Sequence, residues 1–339
     1  GYSVKFLGDN FLHEEPYSTT LQQMGVEILY GPGYQAGIWD WLTKNKDEID
    51  FAYLNRPHIA IKYIDFIKKN TNIKVIYYGH DLHFLREYRE YELTGDIQKK
   101  RESDYWKSIE FSLMEKAVVS YYPSYVEEEA IHAIHPEYKI RAITAYVYEK
   151  FLENIDKDFE KREGLLFVGG FAHPPNADAV LWFAKEIFPL IRQKLDVNFY
   201  VVGSKVTDEI KALEQPGSGI IVKGFVTEEE LASLYATSRI VVVPLRYGAG
   251  VKGKVVEAVY NGSAIVTTSI GSEGIPEAER VMKVADGPEA FADEVVKMYQ
   301  DPAECRRMCE ETQKYIREYF SVEAAWKVIE GDFTPEKKR

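Results

Sequence analysis

Residues 241–268 read VVVPLRYGAGVKGKVVEAVYNGSAIVTT, and their order predicts a parallel α/β fold. A β-branched run ends at Pro244, and a glycine-rich stretch with interleaved cations follows it. A helical pattern then carries Glu257, and a second β-rich run begins at Ala264. Strand, loop, helix and strand in this order form the repeating unit of a parallel sheet.

The same alternation extends along the whole chain. In the first half we predict strands at 2–7, 26–29, 50–55, 74–78, 117–122 and 139–143, with helices between them such as 59–69 and 108–116. In the second half we predict strands at 165–168, 198–202, 220–222, 240–244, 264–268 and 281–284. The pattern is typical of two Rossmann-like, doubly wound domains that face a cleft.

A charged segment at 149–163 interrupts the alternation, and we interpret it as a linker that includes room for a helix. The predicted domains are therefore 1–148 and 164–339. The first domain opens directly on a strand, with no strand, glycine-rich turn and helix before it. We therefore expect this domain to be truncated and the chain to belong to a longer protein with further domains.

Helix boundaries are clearest in the second half. Thr227 and Glu230 have the spacing of a capping box. Asn176 follows two prolines and is predicted to cap a helix over 177–195. Gly262 is placed where a helix ends in a left-handed residue.

Composition excludes several classes of protein. A net charge of -12 and a pI of about 5.2 argue against a general nucleic-acid binder. No apolar run reaches the ~18 residues of a membrane span, and the start has no signal-peptide pattern. Cys305 and Cys309 lie four apart on a predicted helix without zinc-site neighbours, so we expect reduced thiols. We expect a cytoplasmic protein that reaches the inner face of the membrane only through its acceptor.

Two glycine-rich segments predict anion sites. Gly169 and Gly170 end a buried strand, and a helix begins just beyond them. Gly248, Gly250 and Lys252 precede the helix that carries Glu257. Glycines allow close approach of backbone amides, and a helix N-terminus adds a partial positive charge, so both segments suit a diphosphate.

The C-terminal half resembles the glycosyltransferase group 1 family. The segments that carry the resemblance are FVGGFAHPPNADAV (167–180), the stretch from VKGF to VTT (222–268) and IGSEGI (270–275). The resemblance implies the GT-B fold, a nucleotide-sugar donor site in this half and retention of anomeric configuration. It also implies that Glu257 holds the donor ribose and that residues 248–253 bind the donor sugar and diphosphate.

Further roles are implied by the same resemblance. The turn at 169–170 is similar to the loop under the diphosphate, and the run at 223–226 to the segment that reads the base. In the first half, KVIYYGHDLHFLREY (74–88) is similar to the strand after which the family places a histidine that faces the donor. His80 is therefore the candidate for binding the donor sugar or assisting the acceptor hydroxyl.

This sequence departs from the family in two places. The first glutamate of the family's paired motif would stand at position 249, which is Ala249. After the first glycine turn the family often has an Arg and a Lys, where this chain has His173 and Asn176. Lys252, with Arg246 or Lys254, is our candidate for the replacement cation.

The sequence thus predicts an enzyme that transfers a sugar from a nucleoside diphosphate to a hydroxyl of a carbohydrate or lipid-linked acceptor, in bacterial polysaccharide synthesis. No cofactor and no metal are expected. The candidate catalytic residues are His80 and Lys252, and the candidate donor-binding residues are Gly169, Gly170, His173, Asn176, Phe225, Arg246, Gly248, Gly250, Lys254 and Glu257. Two alternatives stay open: a sugar-nucleotide 2-epimerase on the same fold, and a non-catalytic donor-binding or scaffold module.

Overall fold

Short β-branched and aromatic runs form three parallel sheets, two in the N-terminal domain and one in the C-terminal domain, in the computed structural model, which describes residues 2–248 and 250–334. The N-terminal strands are β1 (Lys5–Phe6), β2 (Glu27–Ile28), β3 (Phe51–Asn55), β4 (Lys74–Tyr78), β5 (Val119–Tyr122) and β6 (Ile140–Ala142). The helices between them are α1 (Tyr17–Gln23), α2 (Pro32–Asn45), α3 (Pro57–Asn70), α4 (His83–Thr94), α5 (Ile97–Lys116) and α6 (Tyr125–His132). Strands β3 to β6 pair in sequence order, and β1 pairs with β2, all parallel.

The C-terminal domain is a six-stranded parallel sheet with helices on both faces. Its strands are β7 (Leu165–Val168), β8 (Phe199–Val202), β9 (Ile220–Gly224), β10 (Ile240–Val243), β11 (Ala264–Thr267) and β12 (Lys283–Val284). Its helices are α7 (Pro174–Trp182), α8 (Phe188–Arg192), α9 (Asp208–Lys211), α10 (Glu228–Thr237), α11 (Gly253–Tyr260), α12 (Ser269–Ser272), α13 (Pro288–Tyr299) and α14 (Pro302–Phe320). Every residue of β10 and β11 is buried, which explains their unbroken apolar sequence.

The strand order indicates where a ligand would bind on the C-terminal sheet. The order is β12-β11-β10-β7-β8-β9, so the chain leaves β7 in one direction and returns to the other side of it with β10. The switch point therefore lies between β7 and β10, and ligands of open parallel sheets bind outside the carboxyl ends of strands at such a point. The predicted two-domain α/β fold is confirmed.

Two helix predictions are confirmed and one is wrong. Thr227 and Glu230 form both bonds of the capping box on α10, and Gly262 has a left-handed φ of 69° directly after α11. Asn176 does not cap α7, because the helix begins earlier, at Pro174, with His173 as the N-cap residue. The helix continues through a π-helical segment at Phe183–Ile187 into α8, which ends at Arg192.

The end of the described chain crosses back to the first domain. Helix α15 (Val322–Ile329) and Phe333 pack on β4 and β5, against Ile76 and Tyr121 among others. The Tyr121 hydroxyl donates to Asp332 (2.7 Å), and Lys139 pairs with the same carboxylate (2.5 Å). The sequence-based domain boundary assigned these residues to the C-terminal domain, whereas their contacts tie the two domains together.

Two further features of the described chain bear on the predictions. The segment 149–163 contains no helix among the described residues, since its polar run is held by turns and side-chain bonds such as that of Arg162 to the Tyr235 carbonyl. Cys305 and Cys309 are free thiols buried in the C-terminal core.

None of the described helices is both long and apolar enough to span a membrane. Whether a strand-helix unit precedes β1 stays a prediction.

Candidate functional site

The two predicted glycine segments meet at the switch point. Gly169 and Gly170 directly follow β7, and the glycine loop, residues 248–253, lies between β10 and α11. Because β7 and β10 are hydrogen-bonded neighbours, their carboxyl ends bring the two segments to one edge of the sheet. The structure thus brings the two segments predicted as anion sites together.

A third glycine, which the sequence analysis missed, shapes the first turn. Gly203 follows β8, and a Cβ on it would lie 1.9 Å from the carbonyl oxygen of Gly169. Its φ of 153° is also one that side chains disfavour. The signal was available in the sequence, since Gly203 ends a buried β-rich run, as Gly169 does. The close approach of the two loops requires glycine at this position.

The N-terminus of α7 is connected to the second segment by Asn176 and Lys254. The buried Asn176 amide donates to the Gly170 carbonyl (2.7 Å), and its oxygen accepts a hydrogen bond from the Lys254 ammonium. A Cβ on Gly169 would lie 2.9 Å from Lys254 Nζ. The helix N-terminus, the glycine turn and a lysine therefore converge.

Both lysines of the site are held away from water. Burial, reinforced by the nearby charge of Lys252, lowers the pKa of Lys254 to about 7, although Glu257 opposes the shift. Burial also lowers the pKa of Lys252, against the attraction of Glu273 and Glu127. The Lys252 ammonium donates to the Gly250 carbonyl and lies 3.8 Å from Glu273. Two poorly hydrated cations at a helix start favour a multiply charged anion.

Glu257 lies on α11, one turn beyond Lys254. Burial raises the pKa of this carboxyl group, and the neighbouring Tyr235 hydroxyl and Lys254 offset part of the shift. A half-buried carboxylate of this kind can accept hydrogen bonds from two adjacent hydroxyls. Its predicted role with a ribose stays a prediction.

His80 lies at the edge of the site in the other domain, with its backbone nearest the glycine loop and its ring against Tyr78 and Asn55. It follows β4 with a left-handed φ of 69°, and its carbonyl oxygen would lie 3.5 Å from a Cβ on Gly250. Its Nε2 is 2.6 Å from the Asn55 side-chain oxygen, so this nitrogen carries the proton. Burial and the charge of Arg56 lower the pKa of His80 to about 4, which leaves the ring neutral at pH 7. Its Nδ1 is then a hydrogen-bond acceptor.

The cleft is closed by contacts between the domains. Arg89 of α4 donates to the Gly248 carbonyl (2.8 Å) and pairs with Glu273 (2.7 Å). Gly253, at the start of α11, faces Tyr146, whose hydroxyl would lie 2.6 Å from a Cβ there. The glycine loop is thus packed between its own domain and the first one.

Of the other predicted residues, Arg246 is engaged by a neighbouring helix and Phe225 is exposed, whereas His173 lies near Lys254. The Arg246 guanidinium is paired with Asp178 of α7, at 2.9 Å from Nε to Oδ2. The positive charge of Arg246 is therefore neutralised by a carboxylate of α7. Phe225 is 81% exposed after the edge strand β9. His173 is the N-cap residue of α7, and burial and Lys254 lower its pKa. Ala249 lies outside the described residues.

Sequence reasoning missed the acidic groups around the glycine loop. Glu273 belongs to the quoted IGSEGI segment but was given no role there. Glu127, on α6, showed no signal in the sequence, because only the fold brings it opposite Gly250, where a Cβ would lie 3.2 Å from its Oε1. Glu273 and Glu127 lie at the interface between the two domains, one on each side.

Comparison with solved structures identifies the architecture. The structure superposes on sucrose-phosphate synthase from Thermosynechococcus elongatus with a TM-score of 0.70 and 15% identity, over 98% of this chain and 88% of that one. It superposes on Anabaena HepE in complex with UDP with a TM-score of 0.67 and 12% identity, over 97% and 99% of the chains. A glycosyltransferase from Rickettsia africae gives a TM-score of 0.68 at 13% identity, over 96% and 88%. The protein has the GT-B fold.

Sequence comparison finds a family model that matches the second domain. Residues 162–301 match the model of the family described as glycosyl transferases group 1, which confirms the predicted resemblance for this domain. A Klebsiella pneumoniae relative, "Uncharacterized 44.6 kDa protein in cps region", is 32% identical over 116 residues. That match spans 32% of this chain and 30% of the relative.

Proposed function

We propose that the protein is a glycosyltransferase that moves a sugar from a nucleoside-diphosphate sugar to an acceptor hydroxyl. The observation that carries the proposal is the convergence of Lys252, Lys254, two glycine turns and the N-terminus of α7 at the switch point of a GT-B domain. This arrangement suits a diphosphate, and the family match of residues 162–301 supports the same chemistry.

The site supplies what departure of a nucleoside diphosphate requires. The bond from the sugar to the distal phosphate oxygen breaks, and negative charge builds on the diphosphate. Lys252 and Lys254 stabilise that charge in a site that excludes water, where the interaction is stronger than in solution. A bound diphosphate also raises the pKa of Lys254 from about 7, so the lysine is fully charged during the reaction.

Residues of both domains orient the donor and the acceptor in this proposal. Glu257 holds the ribose diol, and backbone amides of the turn at 169–170 contact the diphosphate. Neutral His80, whose Nδ1 is an acceptor, binds a sugar hydroxyl or the acceptor hydroxyl. The reaction retains anomeric configuration, as the family resemblance implies.

The acceptor we propose is a carbohydrate or lipid-linked glycan of a bacterial surface polysaccharide. The name of the Klebsiella relative, which places it in a cps region, supports this acceptor class, and the structural neighbour HepE, solved with UDP, supports a nucleotide donor. The reaction would take place on the cytoplasmic side, where nucleotide sugars are available.

The first test is calorimetry with UDP-, TDP- and GDP-sugars on the wild-type chain and on Lys252→Ala. We expect micromolar binding of one donor and a loss of at least tenfold in affinity for the variant, since a buried charge-assisted contact is removed. Lys297→Ala, an exposed lysine on α13, is the matched control and should bind as the wild type does.

Product analysis with the donor so identified separates the reactions. Sugar transfer requires an acceptor, whereas epimerisation of the donor does not. Release of a 2-epimer without acceptor, or donor binding without any turnover in the presence of glycan acceptors, would contradict the proposed transfer.

Metal dependence gives an independent check of the same mechanism. Because two lysines supply the positive charge at the diphosphate, we expect turnover to persist in excess EDTA. Initial rates with and without added Mg²⁺ after chelation measure this directly, and a rate that depends strictly on the metal would contradict the assigned role of the lysines.

A further inference from the structure

Glu127 is a buried carboxyl group that the proposed mechanism does not use. It lies in the first turn of α6 and is 1% exposed. Its Oε2 accepts a hydrogen bond from the Ser124 hydroxyl, which also caps the helix by accepting from the Val126 amide (3.3 Å). Its Oε1 is buried and has no hydrogen-bond partner among the described residues.

The free oxygen faces the glycine loop. A Cβ on Gly250 would lie 3.2 Å from Oε1 of Glu127 and 3.4 Å from Cβ of Asp81. Because residue 250 is a glycine with a φ of 73°, the loop presents bare backbone to the carboxyl group. Glu127 therefore reaches across the cleft to the segment that follows β10.

The surroundings of Glu127 indicate what it can bind. Burial, reinforced by the charge of Glu273, raises the pKa of Glu127 to about 7, although the Ser124 hydroxyl opposes that shift. Lys252 contributes positive potential on the same side, which disfavours a metal ion and leaves a neutral donor as the suitable partner. A hydroxyl group is such a donor, and a buried acceptor without a partner is costly until one arrives.

We propose that Glu127 accepts a hydrogen bond from a hydroxyl of the donor sugar and so contributes to sugar selectivity. The inference rests on the proposed function, because the sugar is placed by the diphosphate at Lys252 and Lys254. A sugar attached to the distal phosphate extends from these lysines along the glycine loop toward the first domain. Of the two carboxyl groups that the first domain presents to that loop, Asp81 is paired with Arg86, whereas Glu127 has an unpartnered oxygen among the described residues; position 249 of the loop itself is an alanine.

The test compares affinities for nucleoside diphosphates with and without the sugar. Calorimetry with uridine, thymidine and guanosine diphosphates and with the corresponding sugar nucleotides measures the affinity for each. The ratio of the two affinities is the sugar increment, the factor by which the sugar strengthens binding. We expect Glu127→Ala to bind the bare nucleoside diphosphate as the wild type does, and to lose about tenfold or more of the sugar increment. Glu127→Gln, which keeps an acceptor oxygen, should lose less.

Glu129→Gln is the matched control, since Glu129 is on the same helix but exposed. An unchanged sugar increment in Glu127→Ala overturns the inference and leaves the proposed function standing. Equal loss of affinity for the bare nucleoside diphosphate also overturns it, because Glu127 would then only hold the glycine loop. If the wild type binds no nucleotide at all, the proposed function is wrong and the inference with it.

Discussion

At the scale of single residues, the site contains a buried lysine, Lys254, whose positive charge is unfavourable for folding. Lys254 is buried between Asn176 and the Phe167 ring, with Nζ 4.9 Å from the ring centroid. The folded-state pKa of about 7 is well below the ordinary lysine value of about 10.5. The protonated lysine therefore destabilises the fold on the order of a few kcal/mol below about pH 7, and this cost vanishes as the pH rises toward 10.5.

Lys254→Met should therefore raise the melting temperature while it abolishes donor binding. Methionine keeps the volume of the side chain and removes the buried charge. Thermal unfolding at pH 6 and pH 10 measures the gain, which we expect to be several degrees at pH 6 and much smaller at pH 10. A lower melting temperature at both values would contradict the assigned protonation.

The same lysine predicts proton uptake on donor binding. At pH 8 most Lys254 side chains are neutral in the free protein and become charged beside a diphosphate, so binding should take up close to one proton. Affinity should be constant below pH 7 and fall as the pH rises above it. Calorimetry in buffers of different ionisation enthalpy measures the uptake, and binding at pH 8 without proton uptake would contradict the assigned role of Lys254.

At the scale of secondary-structure elements, the ends of β7 and β8 must approach closely to form the first turn. Gly203→Ala would place a Cβ against the Gly169 carbonyl, and the resulting shift should cost several kcal/mol of unfolding free energy and most donor affinity. Gly217→Ala is a matched control, since its φ of 79° is also positive but no atom lies within 4 Å of the added Cβ. It should cost only about 1 kcal/mol. Equal effects in denaturant unfolding would show that backbone conformation, and not the close approach, makes Gly203 necessary.

At the scale of the whole molecule, the cleft is held partly by Arg89, which connects α4 to the glycine loop and to Glu273. Arg89→Ala should open the cleft and weaken donor binding about tenfold, because closure then costs more of the binding energy. Small-angle scattering should give a larger radius of gyration for the variant than for Arg101→Ala, which removes an exposed arginine of α5. Equal radii of gyration for Arg89→Ala and Arg101→Ala would contradict a role for Arg89 in closure.

The sequence by itself determined the alternation of strands and helices, the two glycine segments and the start of α10. These features are local: β-branched runs, glycines and capping residues act within a few positions of one another. Even here the predicted start of α7 was wrong by three residues, because Pro174 and Pro175 are themselves well suited to the first helical turn.

Only the tertiary structure decided which side chains share the site. Arg246 follows the same strand as Lys252, yet Asp178 engages its guanidinium, and α15 packs on the domain from which it is most distant in sequence. Glu127 reaches Gly250 across more than a hundred residues of chain because both lie at the carboxyl ends of parallel strands that face one cleft. The sequence records the strands, but which strand ends meet is set by the order in which the sheets are wound and by how the domains pack.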